Sequence, residues 1–197
     1  MKVAIHQPQY WPWPRYIHKV MSADVFVYLD TVQFSKNGMQ NRNQIRTARG
    51  ALWMTVPVRH RLGQSIRETR IANTVAIQKH WKTLVANYSG TPGFSRWGGE
   101  LEQLTHRQTD SLCDVAVAST EWMVDKLGLR NRRLRASEIP QAAGQSSSLI
   151  ASICSSVGAT TYLTGRGALD YMRPADFSGI HCEVLVQEWS GLVYEQA

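Results

Sequence analysis

The chain has 197 residues, 43% hydrophobic and 19% charged, enough to bury a sizeable core, and no apolar run approaches the ~20 residues of a membrane span. A net charge of +7 at pH 7 fits an anionic substrate or cofactor, nucleic acid or a solvated basic face, but no helix-turn-helix, RNA-recognition or zinc-finger spacing accompanies it. Three cysteines, Cys113, Cys154 and Cys182, stand at wide, unpaired spacings that argue against a disulfide framework or a structural zinc site, and no signal-peptide core follows Met1-Lys2-Val3, so reduced thiols in a cytoplasmic protein are expected.

Val3-Ala4-Ile5 reads as a buried strand leading into Ile5-His6-Gln7-Pro8-Gln9-Tyr10-Trp11-Pro12-Trp13-Pro14-Arg15-Tyr16. Pro8, Pro12 and Pro14 restrict φ and bias the residues before them towards extended backbone, so this stretch has little entropy left to lose when something binds. Tyr10, Trp11 and Trp13 either wall a ligand or cap the core. Tyr16 to Met21 has the spacing of a short helix after Pro14, and Asp24 to Leu29 that of a second buried strand, parallel to the first because a helix joins them. Asp30, Gln33 and Lys36 then emerge at the same sheet edge as His6, where α/β proteins tend to carry their chemistry.

Asn41-Arg42-Asn43-Gln44-Ile45-Arg46 is dense in amide and guanidinium donors, which suits a phosphate or carboxylate ligand and equally a hydrogen-bonded loop. Ala51 to Val58 predicts a strand ending near Pro57, and a mobile connection from Arg59 leads into a short strand over Ile66 to Ile71. Helical spacing covers Val75 to Tyr88, stopped by Gly90-Thr91-Pro92-Gly93, then Gly98 to Leu104, then Ser111 to Leu127. His80, on the first of these helices, is a candidate catalyst or a satisfied histidine. Cys113 lies on an apolar helical stripe, which marks it as structural.

Arg130, Arg132, Arg133 and Arg135 read as a basic turn. Leu149 to Val157 predicts a helix with Cys154 on its inner side, Thr160 to Leu163 a strand, and Thr164-Gly165-Arg166-Gly167-Ala168 a turn able to offer N–H groups to an anion. A helix near Leu169 to Met172, a strand over His181 to Val186 and a polar tail from Trp189 complete the reading. The pattern predicts an α/β, Rossmann-like, mostly parallel sheet with a helical portion at about 75–127, in a single domain over 1–197.

These residues together resemble the WbqC-like family. The likeness runs through Ile5-His6-Gln7-Pro8 with Tyr10 and Pro12-Trp13, the block Asp24 to Lys36, Asn41-Arg42-Asn43, Thr55-Val56-Pro57-Val58, Tyr162-Leu163 with Gly165, and Tyr194 with Gln196. Arg15 stands where the family usually has Gly, and Asp30-Thr31 where it usually has paired aspartates. The resemblance implies a biosynthetic enzyme associated with surface polysaccharides or secondary metabolites, acting on sugar nucleotides or similar molecules. It also implies a further helical segment past this end in other members.

The expected reaction is group transfer, an acyl or aminoacyl group passing to an amine of a sugar nucleotide or related metabolite. His6, positioned by Asp30, serves as general base or holds the reacting group; Lys36 and Arg42 hold an anionic portion; Gln7, Gln33, Asn41, Asn43, Thr164 and Gly165 bind substrate between Tyr10 and Trp13; and His80 is the remaining catalytic candidate. The expected partners are a small anionic substrate and an acyl donor or carrier protein, with neither nucleic acid nor membrane. No particular cofactor is indicated, and no standard metal-ligand spacing is present. The alternatives are a nucleotide-dependent ligase or nucleotidyltransferase, and a non-catalytic RNA- or carrier-protein-binding module.

Overall fold

The structure, a computed structural model, describes residues 1–191. The strands in chain order are β1 (Lys2–His6), β2 (Val25–Tyr28), β3 (Arg42–Thr47), β4 (Gly50–Thr55), β5 (Val58–Arg59), β6 (Arg70–Ile71), β7 (Arg132–Arg135), β8 (Thr161–Thr164) and β9 (Glu183–Val186). The α-helices are α1 (Pro14–Met21), α2 (Val75–Tyr88), α3 (Pro92–Thr105), α4 (Leu112–Lys126), α5 (Ser146–Ser156) and α6 (Pro174–Phe177). They form two compact units, one made of Met1–Gln7, Trp13–Thr31 and the described chain from Met123 onward, the other of Pro8–Pro12 and Val32–Trp122.

The first unit is an α/β, Rossmann-like fold. Its five-stranded sheet has the order β7-β2-β1-β8-β9, and every neighbouring pair is parallel. Numbered along the chain within the sheet, that is 3-2-1-4-5, so the direction of winding reverses between β1 and β8. Buried apolar runs account for the central position of these strands: Val3, Ala4 and Ile5 in β1, all of β2, and Tyr162 with Leu163 in β8 are covered. Register follows, with His6 opposite Tyr28 and Val3 opposite Tyr162.

The arginine-rich stretch is a strand, not a turn. Three arginines and Leu134 make β7, the outer neighbour of β2, where charge on the open side suits an edge that must not recruit another strand. Arg133 is further held by Asp125 at 3.6 Å and by the Asn131 carbonyl at 2.8 Å. Beyond β8 the expected helix at Leu169 to Met172 does not form. A 3-10 turn over Arg166–Ala168 takes up the chain there, and α6 starts later, behind Pro174 at its first position.

In the second unit Asn41 to Arg46 belongs mostly to a strand: β3 and β4 form an antiparallel hairpin pairing Arg42 with Thr55 and Thr47 with Gly50. Gly50 has φ +107°, a left-handed conformation that suits glycine and closes the hairpin. The strand expected over Ile66 to Ile71 shrinks to β6, paired with β5. Helix α2 has the predicted limits; α3 begins earlier than expected because Pro92 takes a first-turn position and Thr91 Oγ1 caps the helix by accepting from the Phe94 N–H at 3.2 Å. Among the described residues no helix is long and apolar enough to cross a membrane.

Tyr10 is buried in this unit, with its hydroxyl 2.7 Å from Nδ1 of the buried His80. Its N–H donates to the Met39 carbonyl at 3.0 Å. Trp11, with φ +48°, is held in an unfavourable left-handed conformation: its N–H donates to Ser119 Oγ at 2.9 Å, its carbonyl accepts from Asn43 Nδ2, and its ring meets Trp122 edge-on. Removing the Tyr10 hydroxyl leaves a buried imidazole nitrogen without its partner. Tyr10→Phe is therefore expected to cost about 1–3 kcal/mol in chemical denaturation, and an unchanged midpoint and slope rule out a structural role for this bond.

Candidate functional site

Two cavities meet at the C-terminal edge of the parallel sheet, beside the point where its winding reverses. One, of about 180 Å³, is lined by His6, Trp13, Arg15, Lys19, Arg166 and Gln187, among others. The second, of about 270 Å³, has Ile5, Leu29, Ile150, Tyr162, Ala168 and Tyr171 in its wall. His6, Lys19, Gly165 and Gly167 belong to both. A third hollow shares Arg15, Arg166 and Gln187 with the basic cavity and adds Glu188, Trp189 and Ser190. The ligand crevices of open α/β sheets lie at the same topological position.

Lys19 is the side chain that gives this crevice its character. Helix α1 buries Tyr16, Ile17, Lys19 and Val20, so a lysine occupies the stripe that faces the core. It is 5% exposed and makes no hydrogen bond or ion pair among the described residues, a costly state for an ammonium group. Its Nζ lies so close over Gly165 that a Cβ there would stand 3.3 Å away. Burial, with a smaller contribution from Arg15, lowers its pKa to about 8.

His6 stands at the end of β1 with its ring 4.8 Å from that of Tyr16, edge to face. Nδ1 lies 3.1 Å from the Gln7 carbonyl, which can only accept, so Nδ1 carries the proton and Nε2 keeps a lone pair. Burial, and after it the charge of Lys19, holds its pKa down at about 4, so the ring is neutral near pH 7. The same Gln7 carbonyl accepts from the Tyr16 hydroxyl at 3.2 Å, fixing the peptide that orients the imidazole.

Asp30 does not serve as His6's orienting carboxylate. It is buried, and its two oxygens accept from the Ser137 N–H at 2.9 Å and the Ser137 hydroxyl at 2.6 Å, tying the end of β2 to the 3-10 turn after β7. Among the other expected residues, Trp13, Thr164, Gly165 and Gln7 join His6 in lining the two cavities. Thr164 is buried, with its hydroxyl 3.2 Å from that of Tyr162.

The second unit contains the rest, in separate bonding roles. Asn41 Nδ2 donates to the Val56 carbonyl at 2.8 Å, Asn43 Nδ2 to the Trp11 carbonyl, and Arg42 to the Asn37 carbonyl at 2.7 Å while its guanidinium lies 4.4 Å over the Trp53 ring. Gln33 and Lys36 are exposed. His80 bonds both Tyr10 and the Thr55 backbone, and burial lowers its pKa.

Reading the sequence missed Lys19, Arg15, Arg166, Tyr171 and Gln187. For Lys19 a signal existed: with Tyr16 and Val20 it follows the i, i+3, i+4 spacing of the buried stripe, where a lysine is out of place. Gln187 carried none; it is buried by tertiary structure, where its Nε2 donates to the Arg15 carbonyl at 3.0 Å. Cys154 is buried beside the Cys182 thiol, and burial pushes its own thiol pKa well up, away from nucleophilic use. Among the described residues no three His, Cys, Asp or Glu side chains are grouped to hold a metal ion.

A sequence profile described as the WbqC-like protein family matches residues 7–197. The chain is also similar to a Mycobacterium tuberculosis protein named Uncharacterized protein Rv1507c, with 31% identity over 193 residues, covering 96% of this chain and 83% of that one. No solved structure matches. With the profile spanning nearly its whole length, the chain belongs to the WbqC-like protein family.

Proposed function

We propose that the chain is a group-transfer enzyme that binds an anionic acyl donor in the crevice around Lys19 and passes the acyl group to an amine of a sugar nucleotide or related metabolite. The observation that carries this reading is the buried ammonium of Lys19 without an acceptor, on a cavity wall that also includes Arg15 and Arg166 and no carboxylate. A phosphate or carboxylate from the donor supplies the missing acceptor.

In the reaction the amine nitrogen attacks the acyl carbon, and His6 Nε2 takes the proton that nitrogen must lose. The bond from the acyl carbon to the donor oxygen breaks, and the donor departs as an anion held by Lys19 with Arg15 or Arg166. A neutral imidazole with a free Nε2 suits this role better than that of a cation bracing phosphates, which favours acyl transfer over nucleotidyl transfer. Lys36, Arg42, Asn41, Asn43, Gln33 and His80 are not needed for this step; Asp30 acts as a structural support.

The test is to incubate the protein with acyl phosphates or acyl adenylates and an amino-sugar nucleotide, and to look for the amide by mass spectrometry. Amide formation that depends on the protein supports the proposal. Pyrophosphate release with a nucleotidylated product and no amide favours the nucleotidyltransferase alternative.

A further inference from the structure

We infer that the donor of this enzyme carries a compact apolar acyl group, branched aliphatic or aryl, and not an aminoacyl group, because the larger cavity, which shares His6 and Lys19 with the one lined by Arg15 and Arg166, is walled mostly by hydrocarbon and contains no acid. The inference rests on the acyl-transfer reading and gives that reading a substrate class.

The two cavities differ in chemistry but share one wall. Of the two cavities, Arg15 and Arg166 line only the smaller, and Ile5, Leu29, Ile150, Tyr162 and Tyr171 only the larger, where the polar side chains of Gln7 and Thr164 are neutral. A ligand whose anionic part sits with the arginines and whose acyl carbon reaches the shared His6 and Lys19 has one direction left for its acyl chain, into the larger cavity. At about 270 Å³ that cavity lies just below the ~300–1,000 Å³ usual for small-molecule pockets, which suits a short, bulky chain.

The charge balance decides between acyl and aminoacyl. An α-ammonium next to the acyl carbon needs a carboxylate or several carbonyl acceptors close by. Neither cavity has an aspartate or glutamate in its wall, and the ammonium of Lys19 belongs to both, so a second cation meets repulsion with only the neutral oxygens of Gln7 and Thr164 to offset it. Hydrocarbon meets Ile5, Ile150 and Tyr162, each nearly or fully buried, and gains from leaving water.

Stable acylphosphonates test the idea by binding alone, with inorganic phosphate as the reference. Calorimetric titration of acetyl-, isovaleryl-, benzoyl- and glycylphosphonate is expected to show phosphate binding weakly, isovaleryl and benzoyl at least about tenfold tighter than acetyl, the scale of two or three buried methylenes, and glycyl weaker than acetyl. Ala168→Trp, which adds bulk in the wall of the larger cavity, is expected to erase the preference among the acyl groups. Phosphate binding with no gain from the apolar acyl groups, or with glycyl the tightest, overturns the inference and leaves the anion site standing. No binding of phosphate or any phosphonate overturns the anion-directed reading, and this inference with it.

Discussion

Lys19→Met is expected to melt higher than the wild-type protein and to lose its response to anions. The wild-type fold buries Lys19 with no acceptor for its ammonium among the described residues, so its pKa falls from 10.5 to about 8. A shift of that size corresponds to a folding penalty on the order of 3 kcal/mol below pH 8. The sign follows from proton counting: between pH 8 and 10.5 the unfolded chain keeps the proton that the folded one has released, so wild-type stability rises over that window and is lost again as pH falls through 8.

Methionine fills similar space without the charge. Melting near pH 7 should rise by roughly 6–12 °C, since about 1 kcal/mol is worth some 2–4 °C in a chain of this size. Phosphate at a hundredfold excess over its dissociation constant should add about 2.7 kcal/mol to the wild type and nothing to the variant. Lys19→Arg, whose charge persists, should keep binding anions above pH 9, where wild-type affinity has fallen. A Lys19→Met protein that melts lower and still responds to phosphate rules out the anion site.

His6→Ala is expected to cost about 10²–10⁴-fold in turnover with little change in melting temperature, the scale for a positioned general base. The pH profile is the sharper readout. His6, lowered to about 4, is competent as a base above that value, and Lys19 is competent as a cation below about 8, so the rate should form a plateau between the two limbs. In stability the same histidine contributes in the opposite direction from a salt-bridged one: as pH falls from 6.5 towards 4 the unfolded chain takes up a proton that the folded chain refuses, and stability is lost. A rate that rises with a midpoint near 6.5, or a His6→Ala enzyme with unchanged turnover, removes His6 from the chemistry.

Much of the fold is legible because periodicity and punctuation agree. The run Val3-Ala4-Ile5, the short helix behind Pro14 and the apolar block before Asp30 specify β1, α1 and β2 and force them parallel, and α2 lies where its stripe predicts. β3 and β7 were hidden for one reason. Asn-Arg-Asn and Arg-Arg-Leu-Arg have no strand-like alternation, and they are extended because a neighbour, β4 or β2, supplies their ladder bonds.

The candidate site divides along the same line. By itself the sequence determined that a histidine and prolines follow a buried strand, that a glycine turn follows another, and which family these blocks belong to, since each is a matter of residues adjacent in the chain. Only the tertiary structure decided that the two strand ends are neighbours, because β1 pairs with β8 across more than 150 residues, Lys2 opposite Thr161. That pairing sets the Gly165 turn under the ammonium of Lys19, and the β2–β7 pairing, Tyr28 opposite Arg135, gives Asp30 to Ser137. Chain order carries no information about which buried charge is left without a partner; that depends on which distant groups the sheet brings within a hydrogen bond's reach.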